Sequence, residues 1–253
     1  MWNGDYKFLL SNLVKKDFKV RYRNMSLGMF WSLLNPLVTM AVLTFVFSVI
    51  WPSGQANYPV FLLCGIVPYS FFTMAWSSST SSLVDNASII KRVPVPRELI
   101  PVATVLGNGV HLLVQVGLLL AFTLAFGLGI NRHWLWLPVL WTLELLFVAG
   151  LSLITAAVNV YVRDTRYVVE SINAVLFWLV PVFYPIEKVP ERYAGLYEVN
   201  PVAALVGTLR NILLESTEPR YLTVAKLAAV SFFMLGAGLL AFRKLKQGFY
   251  DYL

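Results

Sequence analysis

The chain has 253 residues, 58% of them hydrophobic and 13% charged, and its mean hydropathy is +0.69. Soluble domains carry about 25% charged residues, so this composition excludes an ordinary water-soluble module and points to a single-domain membrane protein. The net charge of +7 needs no nucleic acid to explain it, because membrane proteins gather Lys and Arg beside the cytoplasmic leaflet.

In chain order, residues 5–26 come first. "FLLSNLVKKDFKVRYR" interleaves Phe8, Leu9, Leu13, Phe18 and Val20 with Lys and Arg, which predicts an amphipathic helix at the cytoplasmic interface rather than a cleavable signal. A bilayer crossing needs about 20 apolar residues. Stretches near 30–50, 60–83, 102–127, 134–160 and 223–242 meet that plainly. A sixth, 168–184, is just long enough but contains Glu170, Asn173 and Pro181. Residues 201–214 are too short to cross. Asn200 suits an N-cap and Pro201 the first helical position, and Val202, Leu205, Val206, Leu209 and Leu213 share one face. The interval 185–222 is therefore expected to be an outer re-entrant or interfacial region before the last span. With six spans and both termini inside, fourteen Lys and Arg fall on the cytoplasmic side and six outside, a positive-inside asymmetry. The expected fold class is an all-α polytopic membrane protein.

The sequence offers no catalytic machinery. Gly-Lys is absent, so there is no phosphate-cradling P-loop, and two histidines, His111 and His133, cannot build an HExxH zinc site. No GxSxG elbow occurs. No catalytic residue and no metal site is expected, and the lone Cys64 cannot form an internal disulfide. Any work done on a substrate has to be powered by a partner or a gradient.

Polar groups inside the spans leave two readings open. Thr104, Asn108, His111 and Gln115 repeat at helical spacing, which suits either interhelical hydrogen bonds or the lining of a pathway. Glu144 lies deep in the fourth span, where a carboxylate costs about 2.5–3.5 kcal/mol. It is either a structural group or, with His111, a proton relay of a gradient-driven carrier. Tyr69, Phe72 and Trp76 share one face of the second span, and Phe177 and Tyr184 one face of the fifth. Aromatic belts anchor spans in lipid; flat rings also stack on the apolar faces of sugars.

Several segments resemble a known family in combination. They are "FKVRYRNMSLGMFWSLLNPL", "GIVPYSFF", "NASIIKRVPVPRELIP", "NVYVRDTRYV", "FWLVPVFYP" and "NPVAALVGTLRNILL". Their order resembles type-2 ABC exporter permeases, specifically the polysaccharide branch of Wzm-like O-antigen permeases with capsule and teichoic-acid relatives. The resemblance implies a homodimer in the bacterial inner membrane, working with a separate Wzt-like cytoplasmic ABC ATPase that carries the ATP and Mg2+, so that this chain holds no cofactor. It implies that Ile89, Ile90, Lys91, Arg92, Pro94, Pro96 and Arg97 form an ATPase-coupling loop, whose prolines would stiffen it, with Arg163, Asp164 and Arg166 in a second such turn. It further implies that Arg21 and Arg23 lie where an undecaprenyl-pyrophosphate-linked polysaccharide enters, guanidinium being suited to bidentate phosphate binding. A polysaccharide channel would then be lined by Trp31, Tyr69, Phe72, Trp76, Phe177 and Tyr184. Export of a small hydrophobic compound by the same fold stays open alongside.

Overall fold

The computed structural model describes all residues except 1–4, 22–27, 29, 93–94, 191, 194, 196, 198–199 and 253, and the side chains of 21, 250 and 251 are likewise outside the description. Among the described residues there is no strand. The helices are α1 (Tyr6–Arg21), α2 (Phe30–Phe45, extended by a π-helical turn Val46–Ile50), α3 (Tyr58–Asp85), α4 (Ala87–Arg92), α5 (Leu99–Ala125), α6 (Leu137–Tyr161, led in by a 3-10 turn Arg132–Trp136), α7 (Thr165–Leu179), α8 (Pro201–Leu213), α9 (Tyr221–Leu245) and α10 (Phe249–Tyr252).

Among the described residues, five helical stretches are long and apolar enough to cross a membrane: Phe30–Ile50, Tyr58–Asp85, Leu99–Ala125, Arg132–Tyr161 and Tyr221–Gly248. They match the five clear spans of the sequence. The expected sixth span, 168–184, is not one continuous helix. α7 has 15 residues, about 22 Å, against a hydrocarbon layer of about 30 Å. It stops because Pro181 has no N–H to donate and disfavours helix in the residue before it. A tight turn follows, with Val182 N donating to the Val180 carbonyl at 2.7 Å.

α3 is the central helix. Its apolar window is 78% buried, against 11% for Phe30–Ile50. From Tyr58 to Trp76 it is largely apolar all round, as suits a helix enclosed by others, with the small polar run Ser77–Ser82 after it. Val60, Leu62, Leu63, Cys64, Val67 and Ala75 are wholly buried. The interrupted α7 segment runs antiparallel along it. Asn173 Nδ2 donates to Ser77 Oγ at 2.9 Å, Phe177 lies 5.5 Å from the Tyr69 ring, and Tyr58 OH donates to the Phe183 carbonyl at 2.8 Å. From Ser77 to Tyr58 these partners cover about 28 Å of α3.

α6 and α9 run side by side in the same direction, with Trp136 against Tyr221 at one end and Tyr161 hydrogen-bonded to the Leu245 carbonyl at the other. Two glycines permit this closeness. A Cβ on Gly238 would sit 2.3 Å from the Gly150 carbonyl oxygen, and one on Gly150 2.4 Å from the Met234 carbonyl oxygen. Without a hydrophobic drive between helices in lipid, backbone approach of this kind supplies the packing.

Gly238→Val should therefore force α6 and α9 apart and destabilise the purified protein by about 3 kcal/mol, the upper range for overpacking. Gly236→Ala on the same helix, where a Cβ meets nothing within 4 Å, should be silent. Thermal unfolding in detergent, followed by loss of monodisperse elution, measures both.

Candidate functional site

The two basic turns lie at one end of the bundle. α3 gives way to α4 at Asn86, whose Nδ2 donates to the Ser82 carbonyl at 2.7 Å and whose Oδ1 accepts from Lys16 of α1. Ile90 is buried against Leu13, Leu83 and Ile100, so α4 is pinned on one face. Ile89 is half-buried, while Lys91 and Arg92 are exposed. Pro94 lies outside the described residues, and Pro96 is half-buried. Arg97 departs from the expected outward role. It donates to the Lys246 carbonyl at 3.2 Å and lies 6.0 Å from the centre of the Phe249 ring, while Glu98 pairs with Lys246 at 3.6 Å. Arg97 is thus committed to its own chain.

The second turn follows α6. Thr165 Oγ1 donates to the Val162 carbonyl at 2.7 Å, closing it. Arg163 is exposed and donates to the Tyr252 carbonyl at 2.9 Å. Arg166 lies over the Tyr167 ring at 4.5 Å, and Asp164 is exposed at the head of α7 without capping it.

The polar stripe of α5 is accounted for by interhelical hydrogen bonds. Thr104 Oγ1 donates to Asp17 of α1 at 3.0 Å, Asn108 Nδ2 to Ser78 Oγ of α3 at 2.9 Å, and Gln115 Nε2 to the Ser32 carbonyl of α2 at 3.0 Å. His111 Nδ1 lies 2.8 Å from Ser32 Oγ, and its ring stacks with Phe18. The stripe fastens α1 and α2 to the bundle. The Arg21 side chain and Arg23, expected where the lipid pyrophosphate enters, lie outside the described residues.

The aromatic residues expected to line a channel are mostly packed inside the subunit. Tyr69, Phe72 and Trp76 are 6%, 2% and 5% exposed. Phe72 meets Tyr69 and Trp76 at tilted angles and stacks on Phe147, and Trp76 Nε1 donates to Thr155 Oγ1 at 3.2 Å. A face with so many buried neighbours is core, and no ring face of these three is open in this conformation. Phe177 and Tyr184 are half-buried, while Trp31 is exposed on α2. Tyr184 OH lies 3.1 Å from the carbonyls of both Trp178 and Leu179. It thereby serves the last turn of α7, where helical carbonyls lack intrahelical partners.

Sequence reasoning counted Arg210 as one more outer cation and missed its role. α8 forms as expected, with Asn200 Oδ1 accepting from the Val202 and Ala203 amides, and it buries Arg210 to 7% exposure. The guanidinium donates to the Val182 carbonyl at 2.7 Å, to that of Tyr184 at 3.4 Å and more weakly to that of Phe61 at 3.5 Å. It also sits 3.5 Å from the Phe61 ring centre, a cation–π contact strengthened by desolvation. The planar fork lets one side chain serve carbonyls from two segments. Gly65 makes room for the same turn, since a Cβ there would lie 2.8 Å from the Val182 oxygen. The available signal was one cation inside a short apolar helix, which marks function by default.

Glu144 is buried at 2% exposure, and neither carboxylate oxygen has a hydrogen-bond partner among the described residues. Its supposed relay partner His111 is engaged with α1 and α2.

Among the described residues, a bundle with five membrane-length helices, an interrupted sixth segment, a short apolar helix anchored by a buried arginine and two basic turns at one end has the make-up of the membrane subunit of a transporter. The chain belongs to the ABC-2 type transporter family, whose model matches residues 9–214. It is 30% identical over 254 residues to the O-antigen export system permease protein RfbA of Klebsiella pneumoniae, covering all of this chain and 98% of that one. The corresponding Myxococcus xanthus protein is 29% identical over 96% of this chain and 95% of its own. The polysialic acid transport protein KpsM of Escherichia coli is 22% identical over 94% of this chain and 93% of its own.

Arg210→Gln should loosen the turn after α7, because each buried carbonyl left unpaired costs about 1–3 kcal/mol. Cys64 is wholly buried within the field of Arg210. Its modification by a small maleimide in detergent should accelerate at least about fivefold in the variant, given that loss. Arg210→Lys, which keeps the charge but not the fork, should fall between.

Proposed function

We propose that this chain is the permease subunit of an ATP-driven exporter that moves a lipid-linked, O-antigen-like polysaccharide outward across a bacterial inner membrane. The observation that carries the reading is α4, a six-residue helix fixed by Asn86 and Ile90 with Lys91 and Arg92 left exposed. Such an element presents a cationic surface on a rigid base, suited to an acidic groove on a separate nucleotide-binding subunit. Full-length similarity to O-antigen export permeases at 30% identity, against 22% for the polysialic acid protein, favours O-antigen as the class of cargo.

In this reading the basic end is cytoplasmic, which the positive-inside asymmetry supports, and 165–184 makes a sixth crossing alongside α3. Arg21 and Arg23 meet the lipid pyrophosphate. Two copies face each other across the side of α3 that carries α2 and α7. Trp31, Val38 and Val42 of α2 and Ile172, Val175 and Trp178 of α7 are exposed there. The polymer passes between them, with exposed Trp31 and half-buried Phe177 as tolerant stacking surfaces. A proton-coupled carrier is not favoured, because nothing on α5 pairs with Glu144.

A tagged chain purified in mild detergent from its native membrane should bring an ABC ATPase with it, and Lys91→Glu/Arg92→Glu should lose at least about 90% of that subunit, since reversing exposed charges at a complementary interface makes it repulsive. Undiminished recovery with the double variant, or no ATPase with the unsubstituted chain, contradicts the reading.

A further inference from the structure

The segment from Lys246 to Tyr252 turns back beneath the bundle and is held by both basic turns. From the first, Arg97 donates to the Lys246 carbonyl at 3.2 Å and Glu98 pairs with the Lys246 ammonium at 3.6 Å. From the second, Arg163 donates to the Tyr252 carbonyl at 2.9 Å, and Tyr161, the last residue of α6, packs edge-on to Tyr252 at 4.8 Å and against Phe249 at 5.8 Å. Tyr161 OH also donates to the Leu245 carbonyl where the segment begins. Phe249 is wholly buried. It lies edge-on to Phe242 at 5.5 Å, in a cluster with Leu83 of α3, Ile90 of α4 and Val160 of α6. Gly248 permits this approach, since a Cβ there would stand 2.7 Å from the Tyr161 hydroxyl.

We propose that this segment is a strut that locks the two coupling turns into one mechanical body; this rests on the reading of those turns as the place where an ATPase pushes. A loop of a few residues loaded at a single point absorbs displacement by bending. Here Arg97 and Glu98 grip one end of the strut and Tyr161 and Arg163 the other, while Phe249 seats its middle in the junction of α3, α4 and α6. A push on α4 is therefore delivered to the ends of α6 and α9 as well as to α3. The ion pair is half-exposed and adds little by itself; the buried ring and the hydrogen bonds to backbone carbonyls do the locking. Phe249 and Gly248 are positioning residues, acting through the turns.

The test uses the full chain with its ATPase in proteoliposomes, and reads polymer exported per ATP hydrolysed. Phe249→Ala empties the anchor, and Gly248→Val wedges the segment from Tyr161. In both, the ATPase should co-purify at its usual stoichiometry and ATP hydrolysis should hold, while the export-to-hydrolysis ratio falls roughly tenfold, the size of a typical coupling between sites. Joining Glu98→Cys to Lys246→Cys with a short bis-maleimide should leave the ratio unchanged, because the strut stays closed through the cycle; buried Cys64 keeps the labelling selective. An unchanged ratio in both single variants, loss of the ATPase from either, or arrest by the cross-link overturns the proposal. Absence of an ATPase from the unsubstituted chain instead overturns the functional reading beneath it.

Discussion

Inside a hydrocarbon layer every backbone carbonyl needs a partner within the protein, yet the proposed sixth crossing interrupts its helix at Val180 and carries on without helical structure to Pro185. Arg210 makes that possible. Its guanidinium collects carbonyls from the interrupted segment and from α3, the Tyr58 hydroxyl takes the Phe183 carbonyl, and the Tyr184 hydroxyl serves the end of α7. A continuous helix would satisfy itself and need none of these residues. A carbonyl-held turn can be released as a unit when α8 shifts, whereas a helix has to be broken residue by residue. That difference suits the turn to move as one element.

α3 joins this turn to the opposite end of the molecule. Gly65 lies against Val182 at one end of the helix, and Ser82 holds Asn86 and so α4 at the other. Because α3 is enclosed nearly all round, a displacement at α4 has few ways to dissipate, since protein interiors are close-packed and transmit strain. The glycine contact between α6 and α9 stiffens the neighbouring pair in the same direction. The geometry suits conversion of a push at the basic end into movement of the turn after α7.

Much of the bundle was legible in the sequence, because an apolar run long enough to cross a bilayer has few other uses. The N-cap at Asn200 and the short amphipathic helix after it were legible for the same kind of reason: one side chain and one periodicity decide them. The helix break within 168–184 was only hinted at by Pro181, since composition measures apolarity and not hydrogen-bond continuity. The site fared differently. Lys91 and Arg92 stand exposed as their charge suggested, but Arg97 turns inward to a segment 149 positions later, a contact no local pattern encodes. Tyr69, Phe72 and Trp76 share a face, as spacing dictates, but spacing does not say whether that face meets a channel or another helix. Arg210 escaped because the same residue type serves as a surface cation and as a carbonyl clamp, and burial separates the two.

The most direct measurement is transport by the reconstituted chain and its nucleotide-binding partner in proteoliposomes, with lipid-linked polysaccharide supplied on the ATPase side. The account predicts movement of the polymer that requires ATP and the partner, persists when the pH gradient is collapsed and survives Glu144→Gln. Movement that proceeds without the partner but stops when the gradient is collapsed or Glu144 is replaced would contradict it.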